Sequence, residues 1–313
     1  MPYFPQTLPA ATLPPVEMIS VQGGVVAMGS SRLDARWENC MPCLVQVDSF
    51  SIAPTCVTVG FQRQVMEGGR DEAPDNYPGL FSLDDNVVFA SKLSLLSGRL
   101  YGIGTEAEWE YAARDFVPDA DAFMEAHQEL NIKGRKELRD WLVEERSWLE
   151  NPVVLTPGEA LTLHSRLVTD LAPDLRSPEA LKILEEAPRI GLWTVFSGIG
   201  DLDSKRHYFN QSGRGPVGYG QPSSKGLYDM TGGMWEWCAD VYRQDAHNLP
   251  QANPFNAPEG PEERSTRVQR GGSWSNVDRD ILRLADRDCN IPGWLDSDCG
   301  ARLFGPAQDS KAV

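Results

Sequence analysis

The chain predicts an α+β fold in which two strand-and-turn regions flank an inserted helical segment. Three observations lead there. Apolar residues alternate at period two from Leu44 to Ile52 and again at Trp235 and Trp237, the spacing that gives a strand one buried face. Three-to-four spacing is concentrated between about residues 115 and 199. There Leu138, Trp141, Leu142, Trp148 and Leu149, and then Leu161, His164, Leu167, Val168 and Leu171, share helical faces. Tight glycine pairs, Gly23-Gly24 and Gly271-Gly272, punctuate the strand regions.

A chain of 313 residues, 41% hydrophobic, has enough apolar material for a sizeable core without disulfides. Its formal net charge of −16 repels a phosphate backbone, so nucleic-acid binding is not expected. Residues 1–20 lack a basic start followed by an apolar run, and no stretch reaches bilayer-spanning length, so the default expectation is a cytoplasmic protein without membrane insertion. Six cysteines, at 40, 43, 56, 238, 289 and 299, are too sparse for a disulfide framework. Cys40 and Cys43 have the spacing of half a zinc site, but no second close pair follows and the four histidines lie far apart. They read as reduced thiols, and no metal or cofactor is expected.

Residues 1–15, with five prolines, form an extended lead-in. Met18 to Gly29 holds two apolar runs about Gly23-Gly24 and predicts a hairpin. Leu44 to Ile52 is the next strand. Thr105 followed by Glu108 is a capping box opening an amphipathic helix to Arg114. In the insertion, Thr156-Pro157 and Ser177-Pro178 start further helices. Its aromatic stripe reads as core and His164 as a packed histidine. The paired tryptophans place two rings on one side of a strand, and residues 244–266, rich in Pro, Asn and acids, form a surface loop.

The segments TEAEWEYAAR (105–114), GLYDMTGGMWEW (226–237), RVQRGGSW (267–274) and GARL (300–303), in this order, resemble the formylglycine-generating enzymes, or sulfatase-modifying factor family. The resemblance implies a C-type lectin fold of the formylglycine-generating-enzyme type, a twisted antiparallel sheet with two helices and much irregular loop. It implies a domain over residues 16–306, interrupted by the helical insertion at about 115–199 and followed by a tail at 307–313.

Catalytic members of that family carry two cysteines after the GGS-aromatic motif, one a reactive thiolate in a copper-dependent oxidation. The corresponding positions here are Asn276 and Ile281, which removes nucleophile and copper ligands together. A second enzymatic branch uses an iron-binding histidine cluster, for which the insertion offers only His127 and His164. The family's frequent calcium-associated asparagine is Gly233 here. Asp229, Glu236 and Asp240 therefore read as solvated loop acids, with a cation site as the alternative.

The resemblance is greater to the family's non-enzymatic variable proteins of diversity-generating retroelements. There, adenine-directed mutagenesis of asparagine codons yields many residues but never Lys, Glu, Gln or Met. Residues 275–299 contain none of these four, although the chain has 7 Lys, 21 Glu, 12 Gln and 8 Met. A random window of that length lacks them all roughly once in sixty trials. Within a variable region at 267–303, Arg270, Gly271, Gly272, Trp274, Arg283, Ala285, Arg287, Pro292, Gly300 and Arg302 read as framework: glycines for tight backbone, a core tryptophan, and arginines bonded to loop carbonyls. Ser275, Val277, Asp278, Asp280, Leu284, Asp286, Asp288, Cys289, Asn290, Trp294, Asp296, Ser297 and Asp298 are expected to face outward as a ligand-binding surface. Trp294 is the expected anchor, and the partner a protein or cell-surface ligand with cationic or mixed character. A formylglycine-generating-enzyme-like oxidase, or another non-catalytic member, is the alternative.

Overall fold

The structure, a computed structural model, describes residues 16–29, 43–68, 71–115, 207–244 and 265–307, together with residues 13, 197, 202, 253–255 and 257. The lead-in apart from Leu13, the helices expected at 138–149, 161–171 and after 177, the histidines at 127, 164 and 247, and Cys40 lie outside the described residues.

The first two strands, β1 (Ile19–Val21) and β2 (Gly24–Met28), are not a hairpin. β1 pairs with β4 (Phe50–Ile52), and β2 with β3 (Cys43–Val47), both antiparallel. The register is continuous across the break, with Val21 opposite Phe50 and Gly24 opposite Val47, so 19–28 and 43–52 form one interrupted ribbon. Gly23 is needed for close approach and not for reversal. A Cβ there would lie 2.5 Å from Ser49 N and Val47 O, and its own N–H donates to Ser49 Oγ at 2.9 Å.

Among the described residues three helices follow: α1 (Val59–Met66), α2 (Leu83–Ser97) and α3 (Glu106–Ala113). The capping box of α3 is formed as expected, with Thr105 and Glu108 satisfying each other's backbone N–H groups. α2 has an equivalent box of Ser82 and Asp85 and ends on Gly98 in the left-handed region. Its apolar pattern hid it. Val87, Val88 and Leu95 are exposed while Asn86 and Ser94 are buried, so hydrophobicity along α2 does not follow one face.

The second half builds a four-stranded sheet in the order β7-β6-β5-β8, from β5 (Trp235–Val241), β6 (Arg267–Arg270), β7 (Asp288–Asn290) and β8 (Cys299–Gly300). β9 (Phe304–Pro306) returns to pair with β4, tying the carboxyl-terminal segment to the first ribbon. Trp235 and Trp237 are both buried on β5. One core lies between ribbon, α3 and four-stranded sheet, around Phe50, Trp109, Met230, Val268 and Leu284. A second lies under α1 and α2, around Phe81, Phe89, Leu93 and Leu303. Among the described residues no helix is long and apolar enough to cross a membrane.

Candidate functional site

The loops after β6 are held from beneath by buried arginines. Arg270 stacks over Trp109, its guanidinium 5.4 Å from the ring centroid; it pairs with Glu110 and donates to the Asp286 carbonyl. Arg287 grips both carboxylate oxygens of Glu106 at 2.5 and 2.8 Å, and donates to the Arg243 carbonyl at 2.9 Å. Arg283 Nε reaches the Asp280 carbonyl at 3.0 Å. Arg302 forks onto Glu236 at 2.7 to 3.0 Å and donates to the carbonyls of Ala53 and Tyr228. Loop carbonyls were expected as acceptors. The buried partners Glu106, Glu110 and Glu236 were not, because only the packing of α3 and β5 against β6 and Arg302 brings them together. Gly271 and Gly272 have φ of 96° and 70°, which suits the tight backbone that glycine supplies.

Above this base, two loops are laced to each other. The hydroxyls of Ser273 and Ser275 both reach Asp298 Oδ2, at 2.7 and 2.9 Å, and Trp274 Nε1 points to the Ser297 carbonyl at 3.4 Å. Trp274 is only half-buried, so it braces the loops and does not fill the core. Ser275, Val277, Asp278, Asp288, Trp294, Asp296 and Ser297 are exposed, and Asp280, Cys289, Asn290 and Asp298 are half-buried. Val277 is 71% and Trp294 45% exposed, and beside Trp294 the structure adds Ile291 and Leu295, at 50% and 54%.

Two expected surface residues are instead interior. Leu284 is fully buried in the core containing Trp109, and Asp286 is 2% exposed. The reason is the turn structure of 279–286, where Leu282, Arg283 and Asp286 N–H groups fold back onto Arg279, Asp280 and Arg283 carbonyls. That turn replaces period-two alternation, so neighbours in sequence do not take opposite faces. Burial pushes the Asp286 carboxyl up to about 7, against the lowering effect of Arg270 and Arg283, and its Oδ1 has no hydrogen-bond partner.

Of the acids expected in solvated loops, Glu236 and Asp240 are buried and Asp229 is half-buried, and all three are structurally committed. Glu236 accepts from Arg302 and, at 2.8 Å, from Trp109 Nε1. Asp240 Oδ2 accepts from Glu106 N at 2.7 Å, at the first turn of α3. Asp229, in the left-handed region, accepts from Gly218 and Tyr219 N–H groups at 2.6 and 3.1 Å, and burial raises its carboxyl to about 6. Among the described residues no group of three or more His, Cys, Asp and Glu is arranged to hold a metal ion.

Asn276, at the position where the resemblance implies a first cysteine, acts as a loop staple. Its Oδ1 accepts from Ser273 N at 2.6 Å and its carbonyl from Asn210 N at 3.0 Å. Cys56, Cys238, Cys289 and Cys299 are free thiols. Burial pushes Cys56 and Cys238 well up and Cys299 up to about 12, the opposite of what a reactive thiolate needs.

Comparison with known proteins agrees with this geometry. The family described as sulfatase-modifying factor enzyme 1-like domain matches residues 194–305. The chain is 38% identical over 102 residues to the serine/threonine-protein kinase pkn1 of Chlamydia caviae, covering 33% of this chain and 16% of that protein. It is 39% identical over 85 residues to the formylglycine-generating enzyme of Thermomonospora curvata, 26% of this chain and 27% of that one. The chain thus spans well under a third of these relatives' lengths. Among solved structures, Treponema denticola variable protein 1 superposes with a TM-score of 0.58 at 17% identity, covering 92% of this chain and 94% of that one. PvdO from Pseudomonas aeruginosa gives 0.60 at 17%, covering 93% and 94%, and CarF gives 0.52 at 19%, covering 94% and 99%. The chain therefore has an α+β fold of the formylglycine-generating-enzyme, or sulfatase-modifying-factor, type, shared with a variable protein and with other proteins of that fold.

Proposed function

We propose that the chain is a non-catalytic ligand-binding protein whose carboxyl-terminal surface is diversified by a retroelement. One observation carries the reading: within 275–299, the stretch without Lys, Glu, Gln or Met, a buried run from Leu282 to Arg287 separates side chains exposed on two laced loops, Ser275, Val277 and Asp278 on one side and Trp294, Asp296 and Ser297 on the other. Such a surface changes its contacts while the base stays constant, as loops on a rigid scaffold do in antibody paratopes. The ligand-binding residues are Ser275, Val277, Asp278, Asp280, Asp288, Cys289, Asn290, Trp294, Asp296, Ser297 and Asp298. The likeness in fold to a variable protein supports this reading, and the absence of both cysteines at 276 and 281 speaks against the oxidase alternative.

The test is the DNA downstream of the gene, read in several clonal populations. A near-copy of the 267–303 coding stretch, with AAC or AAT at the differing positions and a reverse transcriptase gene beside it, is the expected result. An invariant stretch with no such repeat ends the proposal and turns attention to oxidase assays.

A further inference from the structure

Exposed large apolar side chains among the described residues fall mainly on two elements. Val277, Ile291, Trp294 and Leu295 belong to the carboxyl-terminal loops, and Val87, Val88 and Leu95 to α2. Scattered exposed apolar residues are ordinary, but a contiguous set marks a contact surface. At 291–295 the first set adjoins the second. The N–H groups of Leu83 and Asp84, at the start of α2, both donate to the Pro292 carbonyl, at 2.9 and 3.3 Å. A Cβ on Gly293 would stand 3.5 Å from Asp84 Oδ2, so the turn preceding Trp294 rests on the first turn of α2. From Asp84 the outer row of the helix continues through Val88, Ser91 and Leu95 at i+4, i+7 and i+11 spacing, all exposed.

We infer that this outer row of α2 is the constant half of the binding face, and that its occupant is a protein segment with apolar side chains flanked by Lys or Arg. The inference rests on the ligand-binding reading above and adds to it a fixed contact, since α2 lies outside 275–299. The rim decides the partner's charge. Asp84, Asp85, Asp278, Asp288 and Asp296 are exposed around the two elements, against two exposed arginines, Arg99 and Arg279, and Lys92 on α2 is already paired with Glu67 at 3.0 Å. A second copy of this chain, at net charge −16, or an anionic lipid surface meets like charge here.

The test titrates the full chain with a dye-labelled amphipathic peptide of leucine and lysine at physiological ionic strength, followed by anisotropy. Two control peptides replace lysine by glutamate, or leucine by serine. Binding of the leucine-lysine peptide alone is expected, weakened roughly tenfold by Val88→Ser/Leu95→Ser and likewise by Trp294→Ala, and left alone by Gln46→Ser on β3. Loss with Trp294→Ala but not with the α2 pair removes α2 from the face while leaving the loop surface intact. Loss with the α2 pair alone makes α2 a separate surface and overturns the shared face. Equal binding of either control peptide, or no binding at all, overturns the partner chemistry. A dimer in sedimentation that the α2 pair dissolves assigns the row to a second copy, and binding to phosphatidylglycerol vesicles that the pair abolishes assigns it to a membrane; either overturns the inference. The retroelement reading stands or falls separately, on the repeat in the DNA.

Discussion

Glu110 of α3 and Arg270 of β6 form an ion pair with side chains only 1% and 0% exposed, and Arg114 and the Gly29 N–H share the same carboxylate. This cluster joins the helix, the first ribbon and the root of the carboxyl-terminal loops. Glu110→Ala leaves two guanidinium groups buried without their main acceptor, and a loss of about 3 to 5 kcal/mol is expected in chemical denaturation.

The same pair sets one limb of the pH dependence. Burial alone pushes the Glu110 carboxyl up, but Arg114 and Arg270 hold it below its ordinary value. A depressed carboxylate contributes stability above its unfolded pKa, about 4.3, and loses it as pH falls through the folded value. The midpoint of thermal unfolding should therefore drop below about pH 4.3 in the wild type, and drop less in Glu110→Gln.

Asp286 acts in the opposite sense. Burial raises its carboxyl to about 7, so between an unfolded value of about 3.9 and the folded one the unfolded chain holds fewer protons, and stability falls as pH rises. Asp286→Asn should raise the unfolding midpoint at pH above about 7, with the advantage fading towards pH 4. A constant difference at every pH would show that the carboxyl does not titrate in this window.

Asn86 is fully buried on α2, and neither its Oδ1 nor its Nδ2 has a partner. An unpaired buried amide costs about 1 to 3 kcal/mol, so Asn86→Ala should stabilise the protein in urea unfolding. A destabilised variant would mean that the amide is satisfied after all, by an interior water for example.

Leu284 and Trp294 are separated by ten positions within the stretch without Lys, Glu, Gln and Met, yet their environments are opposed. Leu284→Ala should cost about 2 to 5 kcal/mol, because a core leucine leaves a cavity. Trp294→Ala, at a residue 45% exposed, should stay within about 0.5 kcal/mol of wild type. Denaturant midpoints of the two variants decide between a tolerant surface and a fixed core.

Local chemistry was legible in the linear chain. The Thr105–Glu108 capping box, the strand at Trp235–Val241, the glycines before Ser273 and the absence of thiols at 276 and 281 each depend on a residue and its near neighbours. α2 was legible only through Ser82, Asp85 and Gly98, since its apolar residues face both inward and outward. Pairing was not readable: Val21 and Gly24 looked like the arms of one hairpin, but their partners lie at Phe50 and Val47, beyond the reach of any local turn signal.

Tertiary packing alone decided the interior of the carboxyl-terminal loops. The framework reading placed Leu284 and Asp286 outside, whereas the turn at 279–286 directs both inward. Only packing could show that Arg270, Arg287 and Arg302 meet Glu110, Glu106 and Glu236, partners 160, 181 and 66 residues away. Capping, turn preference and residue chemistry act over a few positions and are written in the chain; burial and ion pairing depend on which distant surfaces meet, and only the folded chain settles that.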